Sequence, residues 1–329
     1  MNRFEYASPA TLEQAHRLLA AEGSAVLAGG SDLLALMKDG VEIPRRLVNV
    51  KSVQGLAGVR AVAGGGLTVG ALTTLDGLVA DAALGWEHPV LTKAAARVAG
   101  PQIRHVATLG GNLCQRPRCW YFRNGFGLLA QKDGKSMVRE GDNRYHAILG
   151  NDGPACFVHP STLAPLLIAL GAQATVAGPQ GERRLELEKL YRIPKAEGER
   201  EHDLAPAEIV TGIVLPPAAG RRIATYEVRR QEALDWPLAT ASVALEMEAG
   251  QVKKARVVLG QVAPIPWTAA EAETFLQGKA IDAAVAQQAG EAAVQGAKAL
   301  SRNGYKIQLA RVAVARALLA AVGRLDAEV

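Results

Sequence analysis

Two glycine pairs mark places where the backbone of this chain could meet a ligand. One lies in Leu27-Ala28-Gly29-Gly30-Ser31-Asp32-Leu33, the other in Thr108-Leu109-Gly110-Gly111-Asn112. At the first, residues 25–27 read as a short buried strand and residues 33–37 as a helical turn, with the glycines between them. Such a junction leaves several N–H groups without helical acceptors and turns the positive end of the helix dipole toward them. That is an arrangement for holding an anion such as a diphosphate, and the Ser31 hydroxyl adds a donor. At the second pair, Gly110 and Gly111 read as a glycine-rich turn that allows positive φ and close backbone approach. Thr108 and Asn112 there offer hydrogen bonds to a ligand already held at the first turn. A third set is Cys114, Cys119 and Cys156. Arg104, Arg116, Arg118 and Arg123 make a basic neighbourhood around the same stretch. It suits an anionic ligand and a solvated loop equally well.

These groups need a scaffold, and periodicity outlines one. Residues 12–21 read as a helix with Leu12, Ala15, Leu18 and Leu19 on one face, and residues 47–50 as a strand, giving a small βαβ-like unit. Gly64-Gly65-Gly66 splits residues 59–69 into a hairpin, and helices are expected over 75–83 and 91–98. Thr73 or Thr74 caps the first of these. Residues 117–154 are polar and irregular, a length of loop that is usually functional. A helix follows over 163–170, capped by Ser161 or Thr162, then paired strands at 174–177 and 184–187. Residues 195–206 are charged and loop-like. Strands at 209–215, 224–230, 240–247 and 255–260 then give way to an alanine-rich helical tail in which Ile307, Val314, Leu318 and Val322 share a face. Strands followed by helices predict an α+β second domain. The expected division is 1–178 and 179–329, the first part split into a small lobe of about 1–55 and a larger lobe of about 56–178.

Composition narrows the function. The chain has 329 residues, a net charge of +5, 5% aromatics and three cysteines. Charges are scattered, which argues against a nucleic-acid surface. The longest apolar run, residues 163–171, is too short to span a bilayer, so no membrane insertion is expected. An odd cysteine count suits a reducing compartment. With no secretory or twin-arginine pattern at the start, the cytoplasm is the expected location, or the periplasm if a partner carries the export signal. No G-x-G-x-x-G precedes a helix, and Gly134-Lys135-Ser136 lacks the first P-loop glycine because Leu129 stands there. Neither H-E-x-x-H nor G-x-S-x-G occurs.

The two glycine motifs, with Val69-Gly70-Ala71-Leu72-Thr73-Thr74 between them, resemble the FAD domain of molybdenum hydroxylases. That family includes xanthine dehydrogenases, carbon monoxide dehydrogenases and aldehyde oxidoreductases. The resemblance runs on to His159-Pro160-Ser161-Thr162-Leu163-Ala164-Pro165 and covers roughly residues 1–175, with a looser likeness to the family's C-terminal flavoprotein domain beyond. It implies an α+β fold: a two-part FAD-binding domain of the vanillyl-alcohol-oxidase/PCMH type, then an α+β flavoprotein domain. It implies a non-covalent FAD, with Leu27, Ala28, Gly29, Gly30, Ser31, Asp32 and Leu33 at the diphosphate. Thr108, Gly110, Gly111 and Asn112 are implied on the flavin and ribityl side. Thr73, Arg104, Arg118, Thr162 and Arg229 are further implied contacts, Arg229 or Arg230 by way of a segment, 226–237, that reaches back to the flavin. Thr162 departs from the aspartate usual in the family. His105 is expected at the surface or half-buried, and Trp236 in the core.

In one branch of the family the loop after the second motif carries four cysteines for a [4Fe-4S] cluster. Cys119 and Cys156 match its first and last ligands, but residues 126–138 hold no cysteine. No cluster is therefore expected in this chain, Cys114 is expected to face the flavin side of the turn, and the loop is expected to order through its own hydrogen bonds and through partner subunits. The implied partners are a large molybdenum-cofactor subunit and a small [2Fe-2S] subunit. The implied role is an oxidoreductase subunit that passes electrons from the [2Fe-2S] centre through FAD to an acceptor, while the complex oxidises an aldehyde or N-heterocycle. The alternatives are a self-sufficient FAD-dependent reductase of the same fold superfamily and a binding subunit that has lost its flavin.

Overall fold

The structure, a computed structural model, describes residues 1–218, 220–231 and 234–325. A parallel three-stranded sheet opens the chain, in the order Glu5–Ala7, Arg46–Asn49, Ser24–Leu27. Helix Leu12–Leu19 covers it. Thr11 caps that helix by accepting from the Gln14 N–H, and Ala15 and Leu19 pack with Val48, Val50 and Ile209. Helix Leu33–Lys38 leaves directly from the end of strand Ser24–Leu27 through the first glycine pair.

The larger lobe is a five-stranded antiparallel sheet in the order Val59–Ala61, Leu67–Gly70, Ile209–Leu215, Gln173–Gly178, Gly181–Glu186. This corrects the expected division at 178. Strand Ile209–Leu215 sits at the centre of the first domain's sheet, and Gly181–Glu186 forms its edge. The charged tract 195–206, loop-like by composition, is a strap between strands of one sheet. The second sheet begins at Arg222, so the division falls just after Leu215.

That second sheet is an antiparallel meander of Arg222–Val228, Ala239–Glu248, Gln251–Gly260 and Trp267–Thr268. Strand alternation gives it two buried faces. Ala241, Val243, Leu245, Val257 and Leu259 pack on the helical tail, whose helices are Ala270–Leu276, Ala283–Ala293 and Tyr305–Ala321. Val314 and Leu318 are fully buried there, with Ile307 and Val322 partly so. Ala244 and Val258 point the other way, into the core built around helix Leu163–Ala169. This wholly buried helix joins the two domains.

Residues 117–154 are more regular than expected. They contain helices Trp120–Arg123 and Met137–Glu140 and the hairpin Gln131–Lys132/Lys135–Ser136. The second domain orders much of this stretch. Asn143 Nδ2 donates to Ser301 Oγ (2.9 Å), and Asn151 Nδ2 donates to the Lys298 carbonyl (2.9 Å). Lys306, 1% exposed, donates to the carbonyls of Gln261 (2.6 Å), His146 (3.1 Å) and Tyr145 (3.3 Å). Burial pushes its pKa from 10.5 down to about 7. The unfolded chain therefore holds this proton over a range where the folded chain does not, and stability should rise with pH through that window. Lys306→Met should cost about 2 kcal/mol through orphaned carbonyls and remove that alkaline rise. Thermal melts of both proteins from neutral to alkaline pH check this.

Candidate functional site

The first glycine pair makes a backbone nest. Among the described residues, the N–H groups of Gly29, Gly30, Ser31, Asp32 and Leu33 have no acceptor within the protein. Gly30 adopts φ +74°, which favours glycine. Gly29 has a different reason to be glycine: a Cβ there would lie 1.9 Å from the Val106 carbonyl oxygen. The first motif is packed against the backbone just before the second, and Gly29 is the joint.

The second pair is not a positive-φ turn, which corrects the expectation for Gly110 and Gly111. Both lie within the short helix Leu109–Leu113, and neither has positive φ. Thr108 caps the helix, its hydroxyl accepting from the Gly111 N–H (3.1 Å). The neighbouring N–H groups are also spent inside the protein: Leu109 on the Thr73 carbonyl, Gly110 on the Ala71 carbonyl, Asn112 on the Thr108 carbonyl. The glycines here serve closeness rather than anion binding. A Cβ on Gly110 would sit 2.9 Å from the Ala71 Cβ, whereas a Cβ on Gly111 would meet only the Thr108 hydroxyl, at 3.0 Å.

Between the motifs opens a cavity of about 710 Å³, within the range of about 300–1,000 Å³ usual for ligand sites. Of the expected site residues, Ala28, Gly29, Gly30, Ser31, Asp32, Leu33, Thr108, Gly110 and Gly111 line it. Cys114 lines it too. Burial, helped by Glu201, raises its thiol pKa to about 12, so it stays neutral. Sequence reasoning missed the far wall, formed by Arg200, His202 and residues 204–210 of the strap. Its charged composition signalled only a loop, and the one hint was that it leads straight into a central strand.

Asp32 faces the arginines rather than the cavity's contents. Its carboxylate accepts from the Arg116 N–H (2.8 Å) and from Arg123 Nη2 (2.7 Å), and it pairs with Arg118 Nη2 at 3.0 Å. Arg118 also stacks 4.8 Å from the Trp236 ring centroid. Trp236 is 45% exposed, not core as expected. The Arg116 side chain is buried between two carboxylates, bonding Glu42 through Nη1 and Glu201 Oε1 through Nε (2.5 Å). Burial pushes the Glu201 pKa up, but Arg116 and then His202 pull harder, and the carboxyl ends below its ordinary value.

The remaining expected residues lie off the cavity lining. Leu27 is 7% exposed in a cluster with Met37 and Leu47. Thr73 Oγ1 bonds the Gly58 backbone. Arg104 Nη1 donates to the carbonyls of Val98 and Ala99. Asn112 Oδ1 accepts from Ser161 Oγ, which in turn accepts from the Ala164 N–H and so caps the buried helix in place of Thr162. Thr162 Oγ1 has no partner among the described residues. Arg229 binds Glu227 and the Arg97 carbonyl, and Arg230 Nη1 donates to Tyr145 Oη. Their side chains bond partners outside the cavity lining. Glu232 and Ala233 of that segment lie outside the described residues. His105 is exposed beside Asp76, at 3.1 Å.

Cys119 packs with Leu36 and Phe122 and touches His146 Nε2 (3.1 Å), while Cys156 lies in a separate cluster with Ala130 and Val138. Burial raises both thiols, Cys119 to about 11. Among the described residues, no group of three or more His, Cys, Asp or Glu is arranged to hold a metal ion. No helix there is long and apolar enough to cross a membrane.

Comparison with known proteins agrees with this architecture. Residues 2–218 match the family model for the FAD binding domain in molybdopterin dehydrogenase, and residues 224–321 match the CO dehydrogenase flavoprotein C-terminal domain. The gap between the matches falls where the sheets divide. The aldehyde oxidoreductase FAD-binding subunit PaoB of Escherichia coli (strain K12) is 30% identical over 90% of this chain and 91% of its own length. The carbon monoxide dehydrogenase medium chain of Afipia carboxidovorans is 29% identical over 85% and 81%. Among solved structures, carbon monoxide dehydrogenase from Hydrogenophaga pseudoflava superposes with a TM-score of 0.78 at 27% identity, covering 98% of this chain and 99% of that one. Quinoline 2-oxidoreductase from Pseudomonas putida 86 gives 0.77 at 26%, again covering 98% and 99%. A backbone nest at a strand end, facing a cavity in a domain that this family model matches almost from end to end, places the chain in the molybdopterin dehydrogenase family, as a member with both its FAD-binding and its flavoprotein C-terminal domains.

Proposed function

We propose that this chain is the FAD-binding, electron-transferring subunit of a heteromeric molybdenum hydroxylase. The observation that carries the reading is the run of five unpaired N–H groups, Gly29 to Leu33, at the wall of a cavity large enough for a dinucleotide. Oriented backbone donors at a helix start suit a diphosphate. The bare Cα of Gly111 leaves room beside them. Cys114 and His202, both neutral at physiological pH, bring no charge to the wall. Bound there, FAD supplies the redox chemistry, taking electrons singly and releasing them to an acceptor. The protein's part is to bind, orient and shield. Asp32 does not repel the diphosphate, because two guanidiniums and an N–H already occupy its carboxylate.

In this reading a [2Fe-2S] partner supplies the electrons and a molybdenum partner oxidises an aldehyde or N-heterocycle. PaoB, named an aldehyde oxidoreductase subunit, supports the substrate class. The complex works in the cytoplasm, where three free cysteines are at home; activity found in the periplasm would reject that location. The purified full chain should carry one flavin, released intact by acid. Copurification from the native host should bring down molybdenum and [2Fe-2S] iron with the activity. A colourless chain would sink the cofactor assignment, and an active lone chain without molybdenum would sink the partnership.

A further inference from the structure

The charges around the cavity nearly cancel, with one exception. Asp32 is shared by Arg118 and Arg123, leaving one surplus positive charge. Arg116 is shared by Glu42 and Glu201, leaving one surplus negative charge. Glu208, also on the lining, is taken by Arg183. Glu22 lines the cavity too, but is exposed. Arg200 lines the cavity; Glu201 and Glu42 act on it at longer range, but among the described residues no carboxylate comes within ion-pairing distance of it.

Its placement is fixed by the backbone. The Arg192 N–H donates to the Glu201 carbonyl (3.1 Å), Arg192 Nε donates to the Arg200 carbonyl (2.9 Å), and the Asp203 N–H donates to the Leu190 carbonyl (2.8 Å). Tyr191 and His202 form an antiparallel bridge. On this extended segment successive side chains alternate. Glu201 turns away to Arg116, while Arg200 and His202 both face the cavity. Arg116 in turn is one backbone hydrogen bond from the nest, through Asp32. An unpaired guanidinium is thus held on the wall of a cavity that also presents five unpaired N–H groups.

We propose that Arg200 is a cofactor contact whose guanidinium binds the diphosphate of the dinucleotide from the strap side, completing the cradle begun by residues 29–33. The proposal rests on the FAD reading above. The diphosphate is the charged part of oxidised FAD, and a guanidinium fork matches its oxygens. The strap then closes over the cofactor as well as the cavity.

The test is equilibrium binding of FAD and of riboflavin, which lacks phosphate, to the flavin-free full chain, followed by flavin fluorescence. Arg200→Gln should weaken FAD binding by about 10–100-fold, the worth of a charge-assisted hydrogen bond, and leave riboflavin binding unchanged. Arg200→Lys should recover part of the loss. Arg200 is exposed as a residue, so the flavin-free variants should fold, and their melting temperatures report separately any loss of its attraction to Glu201 and Glu42. FAD affinity within about 3-fold of wild type in Arg200→Gln, less than one charged hydrogen bond is worth, would overturn the proposal. So would an equal loss for riboflavin, which would put the contact on the flavin ring or on the fold. Failure of the wild-type chain to bind FAD at all would overturn the reading of the site itself, and is seen before any variant is made.

Discussion

Gly111→Val should give a folded but colourless protein, whereas Gly29→Ala should damage the fold before flavin is considered. At Gly111, on the cavity lining, the added Cβ meets only the Thr108 hydroxyl, at 3.0 Å, which has to give by a few tenths of an ångström. Valine also has a better helix propensity than glycine, so the short helix Leu109–Leu113 has no reason to unwind. At Gly29 even one methyl group would sit 1.9 Å from a backbone oxygen of Val106. Either the nest or the segment before the second motif must move. That costs about 3 kcal/mol or more, or roughly 4 °C or more of melting temperature for a cooperative unit of 329 residues. Flavin content and thermal melts on both variants separate the effects. A Gly29→Ala protein that melts like wild type would show that the joint is not as tight as described, and a fully flavinated Gly111→Val would remove the cofactor from this wall.

Arg116→Met should be the most destabilising change in the site. The Arg116 and Glu201 side chains are 10% and 1% exposed, and Glu42 completes the group. Deleting one partner of a buried ion pair costs about 3–5 kcal/mol, because the other charge stays buried without compensation. The pH dependence distinguishes this from a packing loss. In the wild type the Glu201 carboxyl is held below its ordinary 4.5. Its contribution is complete above that value and is lost as pH falls through the lowered one. Without Arg116, burial is left to dominate and the pKa rises. The unfolded chain then ionises more readily than the folded one, so the stability deficit is largest at neutral pH and shrinks toward about pH 5. Melts of both proteins across that range, and partial rescue by Glu201→Gln in the Arg116→Met background, check it. A deficit that does not vary with pH would mean that lost packing, not an orphaned carboxylate, is the cause.

How far the sequence reveals this site depends on whether the signal is local. Strand, glycine pair and helix start are adjacent in the chain, so the nest around Gly29 to Leu33 can be read directly. The second motif looks the same on paper but works differently. Its N–H groups are spent on Ala71, Thr73 and Thr108, and only the three-dimensional neighbour at Ala71 explains Gly110. Asn112, Thr162 and Arg229 are polar residues near the right motifs whose bonds go to Ser161, to no described partner, and to Glu227. Sequence adjacency to a site does not decide where a side chain points. The far wall was hardest to see. Arg200 and His202 reach the cavity because strand Ile209–Leu215 returns to the middle of the first sheet, a long-range pairing with no local trace.

The joint at Gly29 bears on what a glycine signature can certify. A subunit drifting away from redox work, with no flavin left to hold, would still be unable to admit a side chain at Gly29, because the obstacle is its own backbone at Val106. At Gly111 the obstacle is a single side-chain hydroxyl, that of Thr108, and no backbone stands in the way. The first motif would then outlive the cofactor as a fossil of the fold, and bulk at the second would be the mark of a retired flavoprotein. In this chain Gly111 is still bare.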